Sequence, residues 1–137
     1  MEARPEESTA AHAWFLDGSS GTVSRARDHT RAFLATTPVS PSAETRDDAL
    51  LVVSELVANA VRHAPGPCTL ELAVDGAGTL TVALTDTVAA VPVQRTADLR
   101  SGGGGFGWNL LRRLTRHLDV HLCPDGGKTI RALLPLT

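Results

Sequence analysis

The sequence predicts an α/β protein: a two-layer α+β sandwich, with helices covering one face of a mixed, mostly antiparallel sheet. Three observations predict it. An apolar stripe of helical period runs through the segment ending at His63. Two alternating runs, 69–74 and 79–85, flank an Asp-Gly turn at 75–78, which is a hairpin signal. A further helix-then-hairpin pattern closes the chain. The order is strand, two helices, hairpin, loop, helix, hairpin, with no internal repeat.

Residues 1–10 carry acids and no apolar run, and read as a frayed tail before one domain over 11–137. Residues 11–16 form a first strand. Its Trp14 and Phe15 read as core, with a dimer interface as the alternative. After a turn at 17–21, Thr22 is placed to cap a helix over 23–36. Val23, Ala26, Thr30, Phe33 and Leu34 form its inner stripe, and Pro38 stops it. Ser40 and Pro41 start the second helix, which runs to about His63, before Pro65 and Gly66. In the hairpin, Leu70, Leu72 and Val74 share one face, and so do Leu80, Val82 and Leu84. Residues 87–104 have weak periodicity and read as a long loop of the kind that serves as a lid. A helix over 105–117 follows, with Phe106, Leu110, Leu111 and Leu114 on its apolar side. A strand at 120–123, a turn at 124–127 and a strand at 129–134 complete the chain.

Composition narrows the function classes. With 137 residues the chain fits one domain, and 42% hydrophobic residues suffice for a core. A net charge of -2 gives no basic excess for a phosphate-backbone footprint, so direct nucleic-acid binding is not expected. A local basic surface is left open by Arg112, Arg113 and Arg116. Cys68 and Cys123 sit beside apolar residues in predicted strands and read as two buried thiols rather than a disulfide or a zinc site. No run has membrane-spanning length, and no signal stretch opens the chain, so a cytoplasmic protein is expected.

The second helix carries the most information. At about 100° per residue, Val53, Leu56, Val57 and Ala60 form the stripe that packs on the sheet. Glu55, Asn59, Arg62 and His63 share the opposite side. Glu55 offers a base or a water-orienting carboxylate, Asn59 a neutral oxygen for magnesium, Arg62 a fork for phosphate, and His63 a ring or a donor. An ordinary solvated helix face has the same pattern, and spacing alone does not separate the two readings. The run SGGGGFG at 101–107 precedes a helix. Glycines there let backbone N–H groups approach a phosphate, although glycine runs also serve as linkers. It is neither a Walker A loop nor a dinucleotide fingerprint; the chain's single lysine is Lys128. Asp86 ends a strand, either to accept from an adenine amino group or to start a turn.

Together these segments resemble the GHKL (Bergerat-fold) ATPases, above all their RsbW-like anti-sigma factor serine/threonine kinase branch and its short actinobacterial members. Residues 55–63, ELVANAVRH, resemble the N box. Asp86 resembles the aspartate of the first glycine box, 105–111 the second, and Lys128-Thr129 the closing segment. The resemblance covers nearly the whole domain. It implies a Bergerat ATP-binding fold with ATP and Mg²⁺ as cofactors, and phosphoryl transfer by positioning and charge neutralisation. Asn59 would coordinate Mg²⁺, and Glu55 would take the proton of a substrate serine. Asp86 would read the adenine amino group, assisted by Thr129 through a hydroxyl or a water. Gly105 and Gly107 would support a lid over the phosphates, and Arg62 and His63 would lie along the nucleotide. The implied partners are a sigma factor and an anti-anti-sigma (STAS) protein, with a possible homodimer through the first strand and helix. One difference stands out: Asp86 is followed by Thr87-Val88-Ala89-Ala90-Val91-Pro92, without the family's glycines. The alternative function is therefore a nucleotide-dependent regulatory module without kinase activity. The catalytic half of a split histidine kinase fits less well, because no phospho-acceptor histidine segment is evident.

Overall fold

A computed structural model describes residues 8–38, 40–64, 66–87 and 104–136. Eight elements follow one another: β1 (Ser8–Leu16), α1 (Thr22–Leu34), α2 (Ala43–His63), β2 (Cys68–Asp75), β3 (Thr79–Asp86), α3 (Gly104–Leu114), β4 (His117–Leu122) and β5 (Lys128–Pro135). The strands form one sheet in the order β1-β2-β3-β5-β4, and each described pairing is antiparallel. The predicted element order is observed. The expected loop over 87–104 lies almost wholly outside the described residues.

Alternation along the strands gives the sheet two unlike faces. Leu70, Leu72 and Val74, then Leu80, Val82 and Leu84, then Ile130, Ala132 and Leu134 point into the core, where Val52, Val53, Leu56 and Val57 of α2 meet them. From α1 come Ala26, Thr30, Phe33 and Leu34; the buried Thr30 hydroxyl donates to the Ala26 carbonyl at 2.8 Å. Leu111 and Trp108 of α3 join the same core. Trp108 was not on the predicted stripe, which counted only aliphatic positions and Phe106.

Several boundaries differ from the sequence reading, each for a local reason. β1 begins at Ser8, inside the expected tail, because 8–16 pair along β2. Gly21, with φ of +89°, occupies the N-cap of α1, and the Thr22 hydroxyl instead donates to the Ser19 carbonyl at 2.6 Å. For α2 the cap is Ser42, whose hydroxyl accepts the Thr45 N–H at 3.1 Å; helix geometry begins after Pro41 rather than at it. Helix α3 stops at Leu114, not His117, because the Arg116 N–H bonds the Leu133 carbonyl and His117 pairs with Leu133 as β4 begins.

The β2–β3 turn uses Asp75, whose carboxylate accepts the N–H groups of Ala77 and Thr79 at 2.9 and 3.0 Å. Asp17 plays a similar part before α1: the Ser19 N–H, then Arg25 at 3.0 Å, hold its carboxyl below the usual range. The aromatics of β1 split. Trp14 stacks on His29 of α1 with ring centroids 5.0 Å apart, whereas Phe15 is 72% exposed. The expectation of a core Phe15 is thus corrected: it is one residue out of phase with Trp14 and lies on the uncovered face of the sheet. Cys68 is a buried thiol; Cys123 is half-buried and follows β4 instead of lying in it. Among the described residues no helix is long and apolar enough to cross a membrane.

Candidate functional site

Helix α2 delivers its polar side chains to the end of the molecule where its last turn leads, through residues 64–67, into the start of β2. That stretch is short, so Asn59, Arg62 and His63 lie at the same end of the fold as Cys68, the end of β3 and the start of β5. Val53, Leu56, Val57 and Ala60, the expected apolar stripe, are all buried.

The opposite side of α2 is not a plain solvated face. Asn59 is 8% exposed, and Glu55 is half-buried. The Asn59 carbonyl oxygen accepts from Arg62 Nη2 at 3.0 Å, one helical turn on. Arg62 and His63 are exposed in the last turn, where positive charge suits the helix dipole.

The glycine-rich segment meets this face. Gly107 lies in the first turn of α3 and is buried against Glu55: a Cβ on it would stand 2.6 Å from Glu55 Oε2. Only glycine allows the carboxylate to come this close to the backbone. Gly105 is within the same helical turn. The segments 55–63 and 105–111 are therefore in contact through Glu55 and Gly107, 52 residues apart in sequence.

At the sheet, Asp86 is the last residue of β3 and is buried at 5% exposure. The structure gives it a partner that the sequence reading did not anticipate. Lys128, its register partner on β5, places Nζ 3.1 Å from Oδ1 and 2.9 Å from Oδ2. Gly127 makes the approach possible, since a Cβ there would run into the Asp86 carbonyl. Burial first, and then the negative field of Asp86, push the neighbouring Cys68 thiol above its ordinary range.

Thr129 requires a correction. Being next to Lys128 on a strand, it points to the other face of the sheet. Its hydroxyl bonds the Thr85 hydroxyl at 2.7 Å, in an open hollow shared with Ala83 and Arg131. It does not stand beside the Asp86 carboxylate; Lys128 does. Thus Glu55, Asn59, Arg62 and Gly107 come together, Asp86 sits with Lys128 at the same end of the fold, and Thr129 is separated from both by the sheet. Strand alternation held the signal for Lys128: counting by twos from Ile130 makes 128, not 129, the inward position.

The fold has clear relatives among solved structures. It superposes on the RsbU and RsbW domains of Rv1364c from Mycobacterium tuberculosis with a TM-score of 0.70 and 19% identity, over 93% of this chain and 33% of that one. The chain thus spans a third of that relative's length. The SiaB–SiaC complex from Pseudomonas aeruginosa matches with a TM-score of 0.67 and 17% identity, over 90% of this chain and 88% of that one. A third likeness is to the histidine kinase domain of the Erythrobacter litoralis EL346 blue-light activated histidine kinase, with a TM-score of 0.57 and 19% identity, over 99% and 66%. No curated protein matches in sequence. Residues 18–134 match the histidine kinase-like ATPase domain, from the turn before α1 to the last strand. The chain belongs to the histidine kinase-like ATPase domain family.

Proposed function

We propose that this chain is an ATP-binding serine/threonine protein kinase of the anti-sigma type, which holds a sigma factor and phosphorylates an anti-anti-sigma STAS protein. One observation carries the reading most: the Glu55 carboxylate is held against the first turn of α3 by the missing side chain of Gly107, one turn from Asn59. A base on a rigid helix is thereby aimed where backbone N–H groups of a helix start can meet phosphate.

The residues fit the triphosphate and metal end of ATP–Mg²⁺. Asn59 has a neutral carbonyl oxygen whose second lone pair suits a magnesium ion that keeps several waters. Arg62 adds a guanidinium beside it. When bound, ATP–Mg²⁺ supplies the transferable γ-phosphoryl group. Asn59 would then hold the metal, Arg62 and His63 would lie along the phosphates, Gly105 and Gly107 would support the cover over them, and Glu55 would take the proton from the acceptor hydroxyl. Support for protein partners comes from the likeness to the SiaB–SiaC complex and to a chain carrying RsbU and RsbW domains. A second copy would fit along β1, which among the described residues pairs only with β2 and exposes Phe15.

The decisive assay incubates the purified chain with radiolabelled ATP–Mg²⁺ and candidate STAS proteins. Glu55→Ala is expected to lower phosphotransfer by about 100-fold or more while ATP still binds. Undiminished transfer by that variant would sink the assignment of the base. The base end of the site favours a second reading, because Asp86 is occupied by Lys128 and no glycine follows it. A regulatory module that binds nucleotide without turnover would show ATP binding by calorimetry and no transfer to any antagonist.

A further inference from the structure

The sheet face turned away from the helices carries a charge pattern that the core does not call for. All three helices pack against the inward side chains of the strands. On the other face one rung runs Ala13, Glu71, Ala83, Arg131 and Asp119, across β1, β2, β3, β5 and β4. β3 is the middle strand of the five, so Glu71 and Arg131 stand one strand to either side of Ala83. Both are exposed, and both line the open hollow that holds Thr85 and Thr129. Neither has an ion-pair partner among the described residues.

Opposite charges placed symmetrically about a central strand are complementary to themselves. A two-fold axis running close to parallel with β3, above Ala83, turns a second copy face down on the first. It sets β2 over β5 and β1 over β4, and leaves each rung opposite its own equivalent. Glu71 of each copy then meets Arg131 of the other, so a single rung supplies two ion pairs and fixes the register. Two sheets commonly pack face to face with their strands nearly aligned, and the short side chains of Ala83, Thr81 and Thr85 leave room for it. Five strands about 4.8 Å apart and about 20 Å long give a footprint of about 500 Å² per copy, and the two together reach the ~1,000 Å² that a specific contact needs. The same rotation carries Phe15, 72% exposed on β1, toward β4 of the other copy and takes apolar surface out of water. We propose that this uncovered sheet face is the interface for a second copy of the chain, related by a two-fold axis along β3 and registered by Glu71 and Arg131. The kinase reading does not depend on it.

The test is sedimentation of the whole chain over a concentration series. Wild type is expected to dimerise with a dissociation constant of about 10 μM or below. Glu71→Arg sets arginine against arginine twice across the axis, and Arg131→Glu sets carboxylate against carboxylate. Each is expected to weaken the dimer by about 100-fold or more. Both side chains are exposed, so both variants should melt close to wild type. Should one fail to fold, the other and wild type decide. Mixing the two variants restores both opposite-charge contacts, and so does combining the substitutions in one chain. Either is expected to return the affinity to within about tenfold of wild type. A wild type that stays monomeric up to about 1 mM, leaving the face to a different partner, overturns the inference. A dimer untouched by both single variants, as a contact along the β1 edge would give, overturns it equally. Loss in the single variants without recovery in the mixture or the double variant does the same. None of these outcomes bears on ATP binding, so the kinase reading stands or falls on its own assay.

Discussion

The two ends of the candidate site are built in opposite ways. Glu55, Asn59 and Arg62 stand on one helix at intervals of about one turn, so their proximity is a property of local geometry. Asp86 and Lys128 lie 42 residues apart and meet only because β3 and β5 pair in a particular register. The helical end keeps some access to solvent and is only partly neutralised. The sheet end is sealed and internally paired. A site made by helix spacing tolerates change without loss of fold, whereas one made by a buried rung couples ligand recognition to stability.

That contrast is sharpest in Lys128→Met. Removing the ammonium takes the charge partner from a buried carboxylate, and unfolding in denaturant is expected to show a loss of about 3–5 kcal/mol. Replacing both members, as Asp86→Leu with Lys128→Met, should recover most of it. If the single variant is as stable as wild type, the sheet end does not carry the structural load described.

Next in size is Gly107→Ala. A Cβ 2.6 Å from Glu55 Oε2 must displace the carboxylate. A base misplaced by that amount should lower phosphotransfer by about 100-fold. Thermal melting should change far less than in Lys128→Met, since the Glu55 side chain is half-buried and can swing outward. Normal transfer rates in Gly107→Ala would break the link between the two boxes.

Asn59→Ala probes the metal assignment and is expected to weaken ATP–Mg²⁺ binding by about tenfold. Equal affinity in wild type and variant would remove that assignment. The smallest effect concerns Cys68. Its thiol is held above the ordinary range by burial and by Asp86, so the folded protein keeps the proton where the unfolded chain loses it. The contribution is complete below the ordinary thiol value of about 8.5 and is lost as pH rises beyond it. Melting temperature should therefore fall more steeply above about pH 9 in wild type than in Cys68→Ala. Equal slopes would mean that the thiol plays no part.

Much of this protein was legible in its residues alone, for reasons of period. A helix repeats every 3.6 residues and a strand every two, so the stripes of α2, β2 and β3 announced themselves, and so did the clustering of Glu55 with Asn59. Boundaries were less legible. The Ser42 cap, the start of β1 at Ser8 and the early stop of α3 depend on which backbone groups find partners elsewhere in the fold.

What only the tertiary structure decided is the company each side chain keeps across long sequence distances. Local order placed Asp86 at a strand end, but strand register chose Lys128 as its neighbour and turned Thr129 to the far face. Local order placed glycines at the start of α3, but packing against α2 set Gly107 on the Glu55 carboxylate. Short-range periodicity is encoded residue by residue. Pairing between distant strands and helices is a collective result of burying one apolar core, so it becomes readable only once the chain has closed around that core.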